Sequence, residues 1–90
     1  MKRRTHIFIY GKVHGVFFRS FIKEEALKLK INGIVRNTKD SVEAIFEGES
    51  NSINKMIELC KKGPKFAKVS DVRIIEEDLK NEFKSFSKVD

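Results

Sequence analysis

The chain has little of the chemistry that crosslinks proteins or binds metals through sulfur. Cysteine and proline each occur once in 90 residues, and tryptophan and glutamine are absent. Cys60 therefore has no partner for an intrachain disulfide, and no cysteine and histidine spacing typical of a metal site is present. We expect Cys60 to fill the core, no metal to be bound, and the protein to reside in a reducing compartment, the cytoplasm.

Long apolar runs are also missing. The basic residues at the start are followed by only a short apolar run, residues 7–10, whereas a secretory signal needs about 7 to 15 such residues. No segment approaches the roughly 20 apolar residues of a membrane span. We therefore expect a soluble protein without a membrane partner.

The residues that are present support a folded domain with a basic surface. Apolar residues make up 40% of the composition, including eight phenylalanines, which is enough for a packed core. A core of this size cannot be divided, so residues 1–90 are predicted to form a single domain. The formal charge of +6 favours an anionic partner such as nucleic acid, a membrane surface or a small phosphorylated molecule. The charge alone does not choose among them.

Apolar spacing predicts two helices. Apolar side chains recur at helical spacing over residues 18–29. A second helix is predicted to follow Gly48, with a polar capping cluster at residues 50–52 and a stop at Gly63 and Pro64. Three phenylalanines near the start of the first helix are expected to pack against the core: Phe17, Phe18 and Phe21.

Alternating apolar residues predict the strands. These cover residues 5–13, 34–38 and 42–47, a stretch through Val69, Val72 and Ile74, and a last short segment near residues 83–86. Turn residues 39–41 join the second and third strands, and the polar patch 76–82 is expected to loop out. The order βαββαβ predicts an α+β fold of the ferredoxin-like class, a four-stranded antiparallel sheet with two helices on one face.

The stretch GKVHGVFFRSF at residues 11–21 lies at the junction of the first strand and the first helix. Main-chain N–H groups at such a junction bind anions without help from side chains. Arg19 adds a planar guanidinium that pairs well with phosphate oxygens. The stretch therefore suggests a phosphate cradle, although glycines that serve only the turn and a surface arginine would give the same pattern.

Two motifs resemble those of a known family. GKVHGVFFR at residues 11–19 resembles the first signature of the acylphosphatases, small enzymes that hydrolyse carboxyl-phosphate anhydrides. GIVRNT at residues 33–38, leading into VEAIFEG at residues 42–48, resembles their second signature. The βαββαβ order is also their fold, and the resemblance extends across nearly the whole chain.

The resemblance implies a catalytic site with defined roles. Arg19 and the loop amides would bind the substrate phosphate, and Asn37 would place the attacking water. The substrate would be an acyl phosphate, with inorganic phosphate as product and competitive ligand, and no metal or organic cofactor would take part. The implied phosphate-binding residues are His14, Gly15, Val16, Phe17, Phe18 and Arg19.

The chain departs from the family pattern at three places. His14 stands where the family usually has glutamine, and an imidazole there could make phosphate binding pH dependent. The turn at Asp40 and Ser41 is one residue short and lacks the usual glycine, which could shift Asn37. Lys88 stands where the last strand usually continues with an apolar residue.

Two other functions stay open at this point. An RNA-binding module has the same element order and stacks bases on aromatic side chains, a role that Phe8 and Tyr10 could fill. Glu43 and Glu47, expected on that same face, argue against it, so nucleic acid is not expected as a partner. The second alternative is an acylphosphatase-like domain that binds anions without catalysis. A monomer is expected, and His6 is expected to be an exposed strand residue.

Overall fold

The structure, a computed structural model, describes residues 1–89. In chain order it contains the strand β1, the helix α1, the strands β2 and β3, the helix α2 and the strands β4 and β5. Neither helix of the described residues is long and apolar enough to cross a membrane. The bounds are Lys2–Lys12 for β1, Phe18–Lys28 for α1, Asn32–Asn37 for β2, Val42–Glu49 for β3, Ser50–Lys62 for α2, Lys68–Glu77 for β4 and Phe86–Val89 for β5.

The strands form one sheet in the order β4-β1-β3-β2-β5. All neighbours are antiparallel except β5, which runs parallel to β2. The ferredoxin-like α+β class is confirmed, and the sheet has one strand more than the four predicted. The additional strand extends the sheet because the N–H of Gly33 donates to the carbonyl of Ser85 at 2.9 Å and pairing continues to Val89.

The core lies between the sheet and the two helices. Strand β1 contributes Ile7 and Ile9, which are fully buried on the face that the helices cover. The thiol of Cys60 is buried too, as predicted, and burial raises the pKa of this thiol well above its ordinary value, which leaves it unreactive. Helix α1 buries Phe18, Ile22 and Ala26, and helix α2 buries Ile53, Met56, Ile57 and Cys60.

Three predicted boundaries are wrong. The polar patch expected to loop out at residues 76–82 starts two residues later, because β4 extends to Glu77. Helix α2 is not capped by the side chains at residues 50–52. It begins directly after β3 with Glu49 as its N-cap, and the N–H of Ser50 donates instead to the Met1 carbonyl at 2.8 Å. The last strand lies at Phe86–Val89 rather than at residues 83–86 because residues 78–85 are folded as a loop around Glu47.

Glu47 anchors this β4–β5 loop. Its carboxylate accepts N–H bonds from Lys80, Asn81 and Glu82 at 3.0 to 3.1 Å, and it also pairs with the buried guanidinium of Arg4. Burial alone would raise the pKa of Glu47, but these donors outweigh it and the pKa is lowered. The carboxylate of Glu47 thus fixes the segment that leads into β5.

The outer face of the sheet is covered by ion pairs. Arg4 contacts Glu77 and Glu82 as well as Glu47. The imidazole of His6 lies between Glu43 at 2.6 Å and Glu77 at 3.0 Å, and its side chain is only 17% exposed. The expectation that His6 is an exposed strand residue is therefore wrong. A face so rich in paired carboxylates is a poor platform for single-stranded RNA, which prefers aromatic side chains and cations.

Candidate functional site

The loop between β1 and α1 is short and has an unusual backbone. Strand β1 continues to Lys12, so the loop comprises residues 13–17. Gly15 has φ 71°, and Phe17, the residue before the helix, has φ 62° and ψ 29°. A left-handed conformation costs a non-glycine residue about 1 to 2 kcal/mol. It turns successive main-chain N–H groups toward one side, which is the geometry of an anion-binding concavity.

Gly11, the other glycine of this stretch, has a different role. Its φ is 122°, and a Cβ atom there would lie 2.2 Å from the Lys68 carbonyl oxygen of β4. The register of β1 against β4 shifts at this point. Gly11 therefore allows close packing of the two strands, and of the two glycines only Gly15 belongs to the loop.

The three phenylalanines of the motif have separate environments. Phe18 is buried, and its ring contacts that of Phe21 edge to face with centroids 6.0 Å apart. These two pack against the core as predicted. Phe17 does not, because its left-handed backbone directs the ring outward and leaves the residue 81% exposed.

A cavity of about 350 Å³ opens beside this loop. It brings together Arg19 from the first turn of α1, Asn37 from the end of β2, and Lys88 from β5. Of the predicted site residues, His14 and Val16 do not line it, and Val16 is buried in the core. The lining residues are Val13, Gly15, Phe17, Phe18, Arg19, Ser20, Asn37 and Lys88.

Strand β5 closes one side of the cavity. The Nη1 of Arg19 donates to the carbonyl oxygen of Val89 at 3.0 Å. The Nζ of Lys88 donates to the hydroxyl oxygen of Ser20 at 3.3 Å. The sequence indicated neither contact, since Lys88 stood out only as a charged residue in an apolar position and the pairing of β5 with β2 was not predicted.

Asn37 is held at the cavity by the β2–β3 hairpin. It is the last residue of β2 and pairs with Val42, the first residue of β3. The turn between them is closed by Thr38 and Ser41, whose main-chain N–H and carbonyl bond at 2.9 Å and whose hydroxyl oxygens lie 2.6 Å apart. The shortened turn is thus tightly bonded, and Asn37 lines the same cavity as Arg19.

The imidazole of His14 faces the hairpin instead of the cavity. Its Nε2 lies 2.8 Å from the carbonyl oxygen of Ser41, and because a carbonyl only accepts, Nε2 carries the hydrogen. The side chain therefore joins the β1–α1 loop to the turn that follows Asn37. No group of three or more potential metal ligands from His, Cys, Asp and Glu occurs among residues 1–89.

The fold and the cavity define a class of small α+β domains. Main-chain N–H groups where a strand meets the N-terminus of a helix, together with a guanidinium, form a geometry that can bind an anion. Arg19 and Lys88 give the cavity a positive lining, and Asn37 supplies a neutral hydrogen-bonding group.

Comparison with known proteins narrows this class to one family. The acylphosphatase family profile matches residues 5–88. An acylphosphatase from Syntrophobacter fumaroxidans is 46% identical over 86 residues, which are 94% of this chain and 89% of that protein. The chain belongs to the acylphosphatase family, so the family predicted from the two motifs is confirmed.

Solved structures agree with this membership. An acylphosphatase from Coxiella burnetii superposes with a TM-score of 0.94 at 32% identity, covering 98% of this chain and 93% of that one. The acylphosphatase from Bacillus subtilis superposes with a TM-score of 0.92 at 36% identity, covering 99% of both chains.

Proposed function

We propose that this chain hydrolyses the carboxyl-phosphate anhydride bond of acyl phosphates, releasing a carboxylate and inorganic phosphate. The single observation that carries the proposal is that one cavity contains Gly15, Arg19 and Asn37. Each of these residues comes from a different part of the two family motifs. Family membership supports the same reaction.

The phosphoryl group binds at the β1–α1 loop. Main-chain N–H groups of residues 14–18 and the guanidinium of Arg19 donate to its oxygens, and the N-terminal end of the α1 dipole adds to the attraction. For His14 this role belongs to the main chain, since its imidazole is bonded to Ser41. Fixed donors of this kind stabilise the charge on the equatorial oxygens in the transition state.

Asn37 orients the attacking water. A carboxamide is neutral and does not take a proton, but its oxygen accepts from water while its NH2 group donates. Asn37 stands at the end of a paired strand, and the bonded turn after it keeps it in place. Holding water near the phosphorus in this way lowers the barrier by positioning rather than by acid–base chemistry.

The leaving group explains why no general acid is needed. Water oxygen forms a bond to phosphorus, the bond from phosphorus to the acyl oxygen breaks, and the electron pair leaves with a carboxylate. A carboxylate with a pKa of roughly 4 departs without protonation. One proton of the water passes to a phosphoryl oxygen, so the products are RCOO⁻ and H2PO4⁻.

Hydrolysis of benzoyl phosphate in the presence of a chelator tests the proposal. Wild type should turn the substrate over, and inorganic phosphate should inhibit competitively. Arg19→Ala removes charge-assisted hydrogen bonds of about 1.5 to 3 kcal/mol each and should weaken both phosphate binding and the rate. Arg73→Ala, which removes the same charge from a residue stacked on Tyr10 outside the cavity, is the matched control.

Each other result of this experiment has a defined meaning. Phosphate binding without turnover would make the chain an anion-binding domain of acylphosphatase fold. Salt-sensitive binding of single-stranded RNA that depends on Phe8 or Tyr10, without phosphate binding, would establish the RNA alternative. Full activity in Arg19→Ala would overturn the assigned site.

A further inference from the structure

Lys88 lines the cavity, but neither the proposed phosphate binding nor the proposed water placement uses it. It lies on β5 at the level of Val35 in β2, a residue buried beneath the helices, so its side chain is directed toward α1. The cavity lining includes it beside Ser20 and Phe17. It thus adds a second cation next to Arg19.

The ammonium of Lys88 is available to a ligand. Its contact with the Ser20 hydroxyl uses one of three N–H donors. No Asp or Glu side chain of residues 1–89 forms an ion pair with it, whereas Arg3, Arg4 and Arg36 of the same sheet each pair with a glutamate. A cation held at a concave site and not paired with a carboxylate of residues 1–89 attracts an anion from solution.

The cavity is larger than a phosphoryl group. A phosphoryl group fills roughly the space of two to three waters of about 30 Å³ each, whereas the cavity measures about 350 Å³. The remaining lining therefore adjoins the acyl part of the substrate. It includes the exposed ring of Phe17 and the ammonium of Lys88, an aromatic surface beside a positive charge.

We infer that Lys88 is a specificity-determining residue that favours acyl phosphates whose acyl group carries a second anionic group, a carboxylate or a phosphate. The inference rests on the proposed hydrolysis at the same cavity. Arg19 and the loop N–H groups hold the transferred phosphoryl group, and Lys88 binds the charge at the other end of the substrate.

Two substrates that differ only by one charge test the inference. The substrates are 4-carboxybenzoyl phosphate and 4-carbamoylbenzoyl phosphate, which have nearly the same size. The measured quantity is the ratio of their kcat/KM values in wild type, Lys88→Met and Lys88→Glu. Comparing ratios between variants cancels the different reactivity of the two substrates.

The ratio is expected to fall about fivefold in Lys88→Met, the upper range for an exposed ion pair, and further in Lys88→Glu. In wild type it should also decrease as salt is raised, because screening weakens an exposed pair. Lys84→Met removes the same charge in the β4–β5 loop and should leave the ratio unchanged. A ratio that is equal in wild type, Lys88→Met and Lys88→Glu overturns the inference.

A second measurement separates the inference from the proposed function. The dissociation constants of 4-carboxybenzylphosphonate and 4-carbamoylbenzylphosphonate, measured by calorimetry, need no turnover and should show the same loss of preference in Lys88→Met. If wild type hydrolyses neither substrate, the proposed function fails, while the phosphonates still test Lys88. If Lys88→Met weakens the binding of inorganic phosphate and of both phosphonates by the same factor, Lys88 is part of the phosphate site and the specificity role is wrong.

Discussion

His14 Nε2 donates a hydrogen bond to the carbonyl oxygen of Ser41 across 2.8 Å. This bond joins the two parts of the proposed site, because His14 lies in the phosphate-binding loop and Ser41 closes the turn that follows Asn37. In the proposed mechanism, this bond helps to set the distance between the bound phosphoryl group and the attacking water. Since Nε2–H donates whether or not Nδ1 is protonated, the bond persists in both charge states of the imidazole.

His14→Ala should lower kcat more than it weakens phosphate binding. The loss of one hydrogen bond costs about 0.5 to 1.5 kcal/mol of stability, and the released hairpin carries Asn37 away from the loop. A small misplacement of a positioning group can reduce the rate up to about 10²-fold. Steady-state kinetics with benzoyl phosphate, together with the inhibition constant of inorganic phosphate, measure both effects.

His14→Gln is the conservative variant, and its carboxamide N–H can replace Nε2–H as the donor. It should recover most of the rate lost in His14→Ala. Lys12→Ala, an exposed residue of β1 that does not line the cavity, should behave as wild type. Equal impairment in His14→Gln and His14→Ala would show that the bond to Ser41 is not what positions the hairpin.

Asn37→Ala should reduce kcat by roughly 10² or more, as removal of one positioned polar group does elsewhere. The inhibition constant of inorganic phosphate should stay nearly unchanged, because Asn37 acts on water and not on the phosphoryl group. Asn37→Asp keeps the shape but places a negative charge beside the phosphate, so it should impair binding as well. A kcat close to wild type in Asn37→Ala would remove Asn37 from the mechanism.

Periodicity was sufficient to predict the fold class. The buried residues of α1 and α2 recur at helical spacing, because a helix that packs on a sheet must bury one stripe. Pairing of β5 was beyond this reasoning. The loop that leads into it is bound by Glu47, which accepts from the N–H groups of residues 80–82, 33 to 35 positions away along the chain. Such long-range contacts leave no local pattern in the sequence.

The sequence predicted those site residues that belong to a recognisable motif. Arg19 and Asn37 were indicated by two separate motifs and line one cavity; their catalytic roles stay predictions. Side-chain direction was less predictable. The outward ring of Phe17 follows from its left-handed backbone, and the direction of the His14 ring follows from the Ser41 carbonyl. Neither feature is visible in residue type or spacing.

The two glycines of the loop motif should respond differently to substitution. At Gly15, φ is 71° and a Cβ would meet nothing within 4 Å, so Gly15→Ala should cost about 1 to 2 kcal/mol of unfolding free energy. At Gly11 a Cβ would lie 2.2 Å from the Lys68 carbonyl oxygen, and Gly11→Ala should cost roughly 3 kcal/mol or more. Urea unfolding measures both values, and equal costs would contradict this assignment of roles.

Stability should fall steeply in acid because of the carboxylates on the outer face of the sheet. Burial raises the pKa of Glu43 and of Glu47, but hydrogen bonds from Arg36 and His6 to Glu43, and from Lys80 and Arg4 to Glu47, lower both values further than burial raises them. Carboxyl groups with lowered folded-state pKa values stabilise the fold when ionised. This stabilisation is complete above the ordinary value of 4.5 and is lost as the pH falls through the lower folded-state values.

Glu47→Gln should therefore lower the free energy of unfolding at pH 7 by about 3 kcal/mol, because it breaks a buried pair with Arg4. It should also flatten the decrease of this free energy as the pH falls below 4.5, because wild type loses the stabilisation by ionised Glu47 there. Glu58→Gln, on the exposed side of α2 with only a surface contact to Lys61, should change neither value. Urea unfolding at several pH values measures both quantities.

Glu47→Gln should also weaken phosphate binding at the cavity. Glu47 binds the loop that leads into β5. In β5, the Val89 carbonyl accepts a hydrogen bond from Arg19, and Lys88 lines the cavity. When this loop is loosened, Arg19 loses a partner that orients its guanidinium. Inorganic phosphate should therefore inhibit Glu47→Gln less strongly, even under conditions in which the protein stays folded. Near-UV circular dichroism measures whether the variant is folded under the assay conditions. Unchanged phosphate inhibition in a destabilised Glu47→Gln variant would show that the position of β5 at the site does not depend on the loop.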